Sequence, residues 1–273
     1  MNRKQIEIAV ARLLGDLLLD GTVDAATSVA VADSDLVFPE AGLLRGMEFY
    51  LHTSAIPTIN DLARAIATSA LGTIGLIPSL PAAPTLGDGY SIYQKFRHSE
   101  YVSAIEESMR RARELYLKDF SATFSIVATQ WEYTVPSGFR YVNSIIIIPS
   151  LSTSDFDTGN YEPISQPSWF VRVAPNGSRL ISFRPGYVDL DGYDDYTAIV
   201  IGQRRPVDFT GGAPTQSSEV PESYIIHRAA EILNWRGLIK EVDVSKHIAL
   251  SREVSKLERA LLTGRRANSV EVG

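Results

Sequence analysis

The sequence predicts an α+β protein, in which an N-terminal antiparallel β module precedes a helix–sheet–helix core that ends in two helices. Short runs of β-branched and aromatic residues alternate with turn residues over about 16–95 and again over 121–209. Apolar residues recur at helical spacing near both ends and once in the middle of the chain. A Pro- and Gly-rich stretch at 81–89 separates the two parts, so we expect domains at 1–95 and 96–273.

The first domain is expected to contain one short helix and a small β barrel or sandwich. The helix should cover about residues 3–15, where apolar residues share one face: Ile6, Val10, Leu13, Leu14 and Leu17. An isolated helix of this length is marginal in water, so it needs a partner surface. The strands should lie in five runs, at 27–34, 47–54, 62–69, 73–80 and 88–94.

The second domain should begin with a helix over 99–119. Ser99 is the expected N-cap, because a serine hydroxyl can accept a bond from a first-turn N–H. The apolar face of this helix comprises Tyr101, Ile105, Met109, Ala112 and Tyr116. A second set of strands should follow up to residue 209, and then a linker at 210–219 rich in Gly, Pro and Ser.

Two helices are expected to close the chain. The first should start at Pro221, since proline suits the first helical position. Its apolar residues are Tyr224, Ile225, Ala229, Ile232 and Leu233. The second should run over about 243–263. Its Leu250, Val254, Leu257 and Leu261 are spaced four, three and four apart, which is the spacing of a short heptad seam.

Composition excludes several classes of function. The formal net charge is −6, which argues against a protein whose main task is to grip nucleic-acid phosphates. Without cysteine, disulfides and thiolate metal sites are impossible. The sequence has no run of 18 apolar residues, so we expect no transmembrane helix. Glu7, Arg12 and Asp16 interrupt the N-terminal apolar stretch, so we expect no signal peptide.

No motif predicts an enzyme. The sequence contains no G-x-S-x-G, no Walker A loop and no H-E-x-x-H, and no histidine pair has i,i+4 ligand spacing. A Ser–His–Asp set assembled only by folding stays open at this stage. The four histidines, His52, His98, His227 and His247, are expected to be ordinary structural or surface residues. We therefore expect a non-enzymatic protein without a cofactor.

Two acidic loops resemble cation sites. One contains Asp155, Asp157 and Asn160, and the other runs over 189–195. Oxygen ligands at alternate positions suit calcium. Neither loop has the full calcium-loop pattern, and Asp and Gly are also common turn formers, so we expect turns and no metal. Three basic clusters, at 110–113, 204–205 and 265–266, are expected to be solvated or to form ion pairs with a partner.

The order of elements in the second domain carries a family resemblance. The segments that carry it are SEYVSAIEESMRRARELYLKDF, WEYTVPSGFRYV, VPESYIIHRAAEIL and SREVSKLERALL. Over about residues 98–263 the chain resembles the head-to-tail adaptor (connector or neck) proteins of tailed bacteriophages, in which a P-E-x-Y…A-A-x-x-L helix precedes the last helix. Earlier segments, such as GTVDAATSVAVADSDL and PTLGDGYSI, resemble a β module of phage structural proteins.

The resemblance implies an adaptor-like core and a structural role in the virion, assembled in the host cytoplasm. It implies a homo-oligomeric ring, often twelve-fold, that docks on the portal protein, contacts the tail or a second neck protein, and lets DNA pass without sequence-specific binding. No catalytic residues, cofactor or membrane contact are implied. The alternatives are another virion component (baseplate, tail-fibre attachment or capsid-associated) and, third, an enzyme such as a wall-degrading hydrolase.

The predicted interface lies at the end of the chain. Four aliphatic residues in line would form an adhesive patch on an exposed helix, so we expect them to be covered by the helix at 221–235 or by a neighbouring subunit. With the adjacent basic pair, the candidate interface residues are Leu250, Val254, Leu257, Leu261, Arg265 and Arg266.

Overall fold

A computed structural model describes residues 1–37, 40–148, 162–207, 218–237, 244–263 and 270–271. Contacts between residues divide the chain into two compact units. Unit 1 comprises Met1–Ala112 with Val207–Glu258, and unit 2 comprises Arg113–Pro206 with Arg259–Gly273. Helices and antiparallel sheets are both present, which confirms the mixed α+β class.

The described helices are α1 Arg3–Leu14, α2 His98–Leu115, α3 Glu222–Gly237 and α4 Val244–Thr263. The strands of unit 1 are β1 Leu17–Thr22, β2 Ala25–Ala26, β3 Ala30–Ala32, β4 Glu48–Thr53, β5 Leu62–Ala70, β6 Thr73–Ile77 and β7 Gly89–Tyr93. The strands of unit 2 are β8 Lys118–Ser125, β9 Glu132–Thr134, β10 Phe139–Ile148, β11 Glu162–Ile164, β12 Trp169–Val173, β13 Arg179–Phe183, β14 Thr197–Arg204 and β15 Val270–Glu271.

Helix α1 is closed at both ends by local bonds. Asn2 and Gln5 form a capping box, in which each side chain accepts from the other residue's backbone N–H. Gly15 ends the helix in the left-handed conformation (φ 69°), which glycine adopts without a steric penalty. The chain then enters β1, so the prediction that Leu17 belongs to the helical face is wrong. Its apolar side chain fits a strand as well as a helix.

The sheet of unit 1 is a curled half-barrel of seven antiparallel strands, in the order β1-β7-β4-β5-β6-β3-β2. Its first and last strands are consecutive in the sequence and only residues 23–24 separate them, so the sheet must curl to bring its two edges close together. Each of the five predicted strand runs contains a strand. The enclosed core is aliphatic and aromatic, with Phe49, Leu51, Ile66, Ile74 and Ile92 among its members.

The outer face of the half-barrel is also covered in places. Every residue of β7 is buried. Tyr90 and Ile92 belong to the enclosed core, while Tyr93 contacts Tyr101 of α2, with ring centroids 4.9 Å apart. Strand β7 therefore lies between the enclosed core and a helix, which explains why its residues are buried on both faces.

Helix α2 begins and ends earlier than the sequence predicted. It starts at His98, so Ser99 is its second residue and the predicted N-cap is wrong. The Glu100 carboxylate accepts instead from the Arg97 N–H at 2.8 Å, in the first turn. The helix ends at Leu115, and β8 begins at Lys118, where polar and apolar residues alternate.

Unit 2 contains two antiparallel sheets. One has the order β11-β10-β14-β8, with β15 also paired to β10, and the other has the order β12-β13-β9. Between them lies an apolar core that includes Val142, Ile145, Trp169, Ile181 and Val200. The central strand β14 is buried along most of its length, whereas β8 at the sheet edge alternates between half-buried and exposed residues.

Helix α3 packs against α1, within unit 1. It begins at Glu222, immediately after Pro221, and buries Tyr224, Ile225, Ala229 and Leu233. The division by contacts therefore differs from the predicted one at residue 95, because the start of the chain and a C-terminal helix share one unit. Separate folding of residues 16–95 stays a prediction, as does the adaptor-like architecture of the second part.

Candidate interaction surface

The predicted seam on α4 is largely covered within the single chain. Leu250, Val254 and Leu261 are 5%, 2% and 8% exposed, and Leu257 is half-buried. Leu250 lines a cleft of about 250 Å³ together with Leu13 of α1 and His227 of α3. The role of these residues between subunits stays a prediction, and the predicted Arg265 and Arg266 lie outside the described residues.

Unit 1 exposes other large apolar side chains on its helices. Trp235 near the end of α3 is 63% exposed, Ile248 of α4 is 46% exposed and Leu13 of α1 is 36% exposed. Trp235 lines one cleft with His247 of α4, and Leu13 lines a second cleft with Lys246, Ala249 and Leu250 of α4. We call Leu13, Trp235 and Ile248 the helical patch. Large exposed apolar side chains of this kind mark interaction sites when they lie close together.

Charged pairs flank Trp235. A cleft of about 300 Å³ is lined by Trp235, Ile232, His247, Glu107, Arg228, Glu231 and Arg236. The Trp235 and His247 rings lie 5.2 Å apart. Arg236 Nη2 bonds to Glu107 Oε2 at 3.0 Å, and Arg228 Nη1 bonds to Glu231 Oε2 at 2.6 Å. An exposed aromatic residue among arginines is typical of the anchor of a protein interface.

The position of Trp235 in the sequence already indicates that its side chain is exposed. Trp235 follows the buried Leu233 by two positions, about 200° around the helix, so it cannot share the buried face of α3. A tryptophan on the polar side of an amphipathic helix is a candidate contact residue. The exposure of Leu13 carried no such signal, because it lies on the predicted apolar face of α1.

A second group of residues forms a buried polar network in unit 1. Glu7 of α1 is fully buried, and its Oε1 lies 2.8 Å from His98 Nδ1 at the start of α2. The His98 ring stacks on Tyr50 of β4 with centroids 4.0 Å apart. The Glu48 carboxylate accepts from the His98 backbone N–H. Both helices are thereby fixed to one strand of the half-barrel.

The electrostatics of this network favour one retained proton. Burial raises the pKa of Glu7, although the hydrogen bond with His98 acts in the opposite direction. Burial alone would lower the pKa of His98, but the hydrogen bond and the charge of Glu7 together outweigh it, so the pKa of His98 is raised. Glu7 has no exposed surface. The pair therefore favours one bound proton, held between the buried Glu7 carboxylate and the His98 ring.

Asp16 fixes the two chain segments that flank this network. Its buried carboxylate accepts from the backbone N–H of Lys95 at 2.5 Å and of Phe96 at 3.2 Å. It also accepts from the Tyr101 hydroxyl at 2.6 Å. The connection from α1 to β1 is thus bonded to the connection from β7 to α2. These contacts span about 80 positions, so the sequence pattern could not reveal them.

One arrangement resembles a catalytic set. His52 Nδ1 lies 3.0 Å from the Thr53 hydroxyl, and its Nε2 lies 3.1 Å from Asp20 Oδ1. Lys4 Nζ donates to the same hydroxyl at 2.9 Å, and Arg12 bonds to Asp20 at 3.0 Å. Burial, and then the charge of Lys4, lowers the pKa of His52. The bonds tie α1 to β1 and β4, and we assign them to packing.

The acidic loop at 189–195 is a turn. Asp189 Oδ1 accepts from the Gly192 N–H at 3.3 Å, and Asp194 Oδ1 accepts from the Ala128 N–H at 2.8 Å. The other predicted loop, at 155–160, lies outside the described residues. Within the ranges that the structure describes, no group of three or more His, Asp or Glu side chains could hold a metal ion.

Two of the basic clusters contain arginines with partners inside their own unit. Arg111 Nε lies 3.6 Å from Glu258 Oε1 in unit 1. In unit 2, the Arg204 guanidinium lies 5.2 Å from the centre of the Phe120 ring. The first contact is an ion pair and the second a cation–π contact, and whether either cluster meets another protein stays a prediction.

No model of a protein family matches the sequence, and no curated protein matches it. Among the helices that the structure describes, none has both the length and the apolar run needed to span a membrane.

Proposed function

We propose that the chain is a non-enzymatic structural subunit of a phage virion, which forms a ring, twelve-fold by analogy, in the neck. In this role it docks on the portal protein, contacts the tail or a second neck protein, and lets DNA pass through the lumen. It is assembled in the host cytoplasm and stays in the virion. The element order over 98–263 and its resemblance to the adaptor proteins motivate this proposal.

The observation that carries a role in assembly is the helical patch. Trp235 is 63% exposed beside two arginine–glutamate pairs, and Ile248 and Leu13 are exposed on the neighbouring helices. A subunit of a ring needs a surface that binds a different surface of the next copy, because only such heterologous contacts close by rotation. The patch is suited to one side of that contact.

The acidic balance of the chain supports a lumen through which DNA passes without sticking. With a net charge of −6, the chain repels a polyanion on average. The second candidate function is that of another virion component. Such a protein would use the same surface for assembly, but its assembly would have a different symmetry.

Electron microscopy of the purified protein and of particles that contain it tests the proposal. We expect closed rings, and a position between capsid and tail. Trimers or sixfold assemblies would favour the baseplate or fibre alternative. A protein that stays monomeric at every concentration, and is absent from the neck of particles, would overturn the proposal.

One variant and a matched control test whether the helical patch is the contact between subunits of the ring. Trp235→Ser should abolish rings without unfolding the chain, because the side chain is exposed. Leu86→Ser removes another highly exposed apolar side chain of unit 1 (78% exposed), in the loop before β7, and should leave rings intact. Equal behaviour of the two variants would exclude the patch as the ring contact.

A further inference from the structure

We propose that unit 2 pairs with a second copy of this chain through strand β8, in an antiparallel, two-fold contact centred on Ala122. The proposal goes beyond the ring and does not rest on it. The proposal is based on an unprotected sheet edge, in which the order of residue types is nearly the same in both directions. Residues 120–124 read Phe-Ser-Ala-Thr-Phe.

Strand β8 is a long and regular edge. It pairs with β14 over eight consecutive residues without a register shift, and no proline or glycine interrupts it. Among the described residues, nothing bonds to the outer side of positions 120–125. Soluble proteins usually protect such edges with prolines, bulges or very short strands, because unpaired N–H and C=O groups recruit another strand.

The opposite edge of the same sheet shows the protection that β8 lacks. There β11 has three residues and contains Pro163, and β15 has two residues. Proline cannot donate a ladder hydrogen bond, which restricts it to edges. Strand addition is therefore disfavoured at β11 and left open at β8, so we place the contact at β8 of both copies.

The side chains of β8 suit self-pairing. In a two-fold antiparallel pair centred on Ala122, Phe120 faces Phe124 of the partner subunit, and Ser121 faces Thr123 of the partner subunit. Residues of the same parity are opposite, so the half-buried apolar row of both copies lies on one face and the exposed polar row on the other. The small Ala122 side chain leaves room at the axis for an aromatic pair on each side.

The aromatic residues are already held in position within unit 2. Phe124 stacks on Tyr133 with centroids 4.4 Å apart, and Phe120 contacts Phe139 at 4.9 Å. Both remain only partly buried at the margin of the core. A second β8 would extend this core across the axis. No like charges would be opposite, since Asp119 faces Ser125 of the partner subunit in this register.

A single introduced cysteine tests the register. Because the chain has no native cysteine, any disulfide that forms must join the two introduced residues. Ala122→Cys places two thiols directly opposite, where Cα atoms of antiparallel strands are about 4.5–5.5 Å apart, within the range of a disulfide. We expect a covalent dimer under mild oxidation. Ser125→Cys is the control, because three residues from the axis the two thiols are roughly 20 Å apart. No dimer from folded Ala122→Cys, or equal dimer from both variants, would overturn the proposal.

Charge exchange tests the contact independently. Ser121→Lys with Thr123→Lys places like charges opposite each other twice, and Ser121→Glu with Thr123→Glu does the same with the opposite sign. Both positions are exposed, so both variants should fold. In sedimentation experiments, the β8 dimer of each variant alone should be weakened roughly tenfold or more. An equimolar mixture of the two variants should restore the dimer. If the mixture behaves like the separate variants, β8 is not the contact.

Discussion

Unit 1 buries carboxylates and an arginine in addition to its apolar core, whereas the interior of unit 2 is filled with apolar side chains. Each buried charged residue that the structure describes lies in unit 1: Arg3, Glu7, Asp16, Asp33, Asp88 and Glu231. The buried polar residues described in unit 2 are neutral: Ser168, Ser182, Thr197 and Gln203. Unit 1 therefore depends on paired buried groups in addition to its apolar core, while unit 2 depends mainly on the area and shape of its apolar core.

The largest expected difference between the units follows from removing Glu7. Glu7→Ala leaves the half-buried His98 without its partner, and breaking a buried ion pair from one side typically costs about 3–5 kcal/mol, the upper limit for this partly exposed pair. The loss should be confined to unit 1, and hydrogen exchange followed by mass spectrometry can assign it to peptides of either unit.

Ile145→Ala is the matched control in unit 2. Ile145 is fully buried in the apolar core, and its truncation should cost about 2–5 kcal/mol, confined to unit 2. If Glu7→Ala weakened hydrogen-exchange protection equally in both units, or in neither, the buried charges of unit 1 would not stabilise that unit specifically.

A pH series should separate the units by a smaller amount. The pKa values of Glu7 and His98 are both raised in the folded state. Between the ordinary and the raised pKa of each group, folded unit 1 therefore keeps a proton that the unfolded chain has released. The stability contributed by His98 is complete below its ordinary pKa of about 6.5 and is lost as pH rises through the raised value. The raised pKa of Glu7 acts in the same direction. Unit 1 should therefore lose protection from pH 6.5 upward.

Unit 2 provides the internal control for this series. All four histidines of the chain lie in unit 1, so unit 2 has no group of this type to titrate between pH 6.5 and 8. Its protection, corrected for the intrinsic exchange rate, should stay constant. Glu7→Gln should flatten the profile of unit 1, because it removes the Glu7 carboxyl and with it the bond and charge that raise the pKa of His98. A decline of both units in parallel would mean that neither His98 nor Glu7 causes it.

The smallest effect, none at all, is expected from calcium. The carboxylates of Asp189 and Asp194 already accept backbone N–H bonds in unit 2. Melting temperatures with excess calcium and with EDTA should agree. Stabilisation of unit 2 that saturates with calcium would show a ligand of the folded state, because such a ligand raises stability by mass action.

Much of the fold was predictable because local patterns and tertiary packing agree. Each predicted strand run in 16–95 contains a strand, and α1, α3 and α4 lie where helical spacing placed them. The errors fall where two local patterns compete. Leu17 fits both a helical face and a strand. Residues 116–119 continue an apolar helical face, but the alternation from Lys118 onward belongs to β8.

The candidate surface was less predictable, because exposure depends on contacts between distant segments. The 4-3-4 spacing on α4 identified apolar residues that must be covered, but it did not show that the same chain covers most of them. Trp235 could have been placed on the polar side of α3 by helix geometry alone. The Glu7–His98 pair joins positions 91 apart, and no pattern in one sequence connects them.

The path of the chain through unit 1 sets an order for synthesis on the ribosome. Strand β1 must wait for β7 before it acquires its neighbour in the sheet, and α1 must wait for α3, which ends at residue 237. Most of unit 2 is one continuous stretch, 113–206, and emerges in between. The nascent chain can therefore complete the paired strands β8 to β14 while α1 still lacks its partner. The N-terminal helix, the first segment made, therefore completes its packing only after α3 has been synthesised.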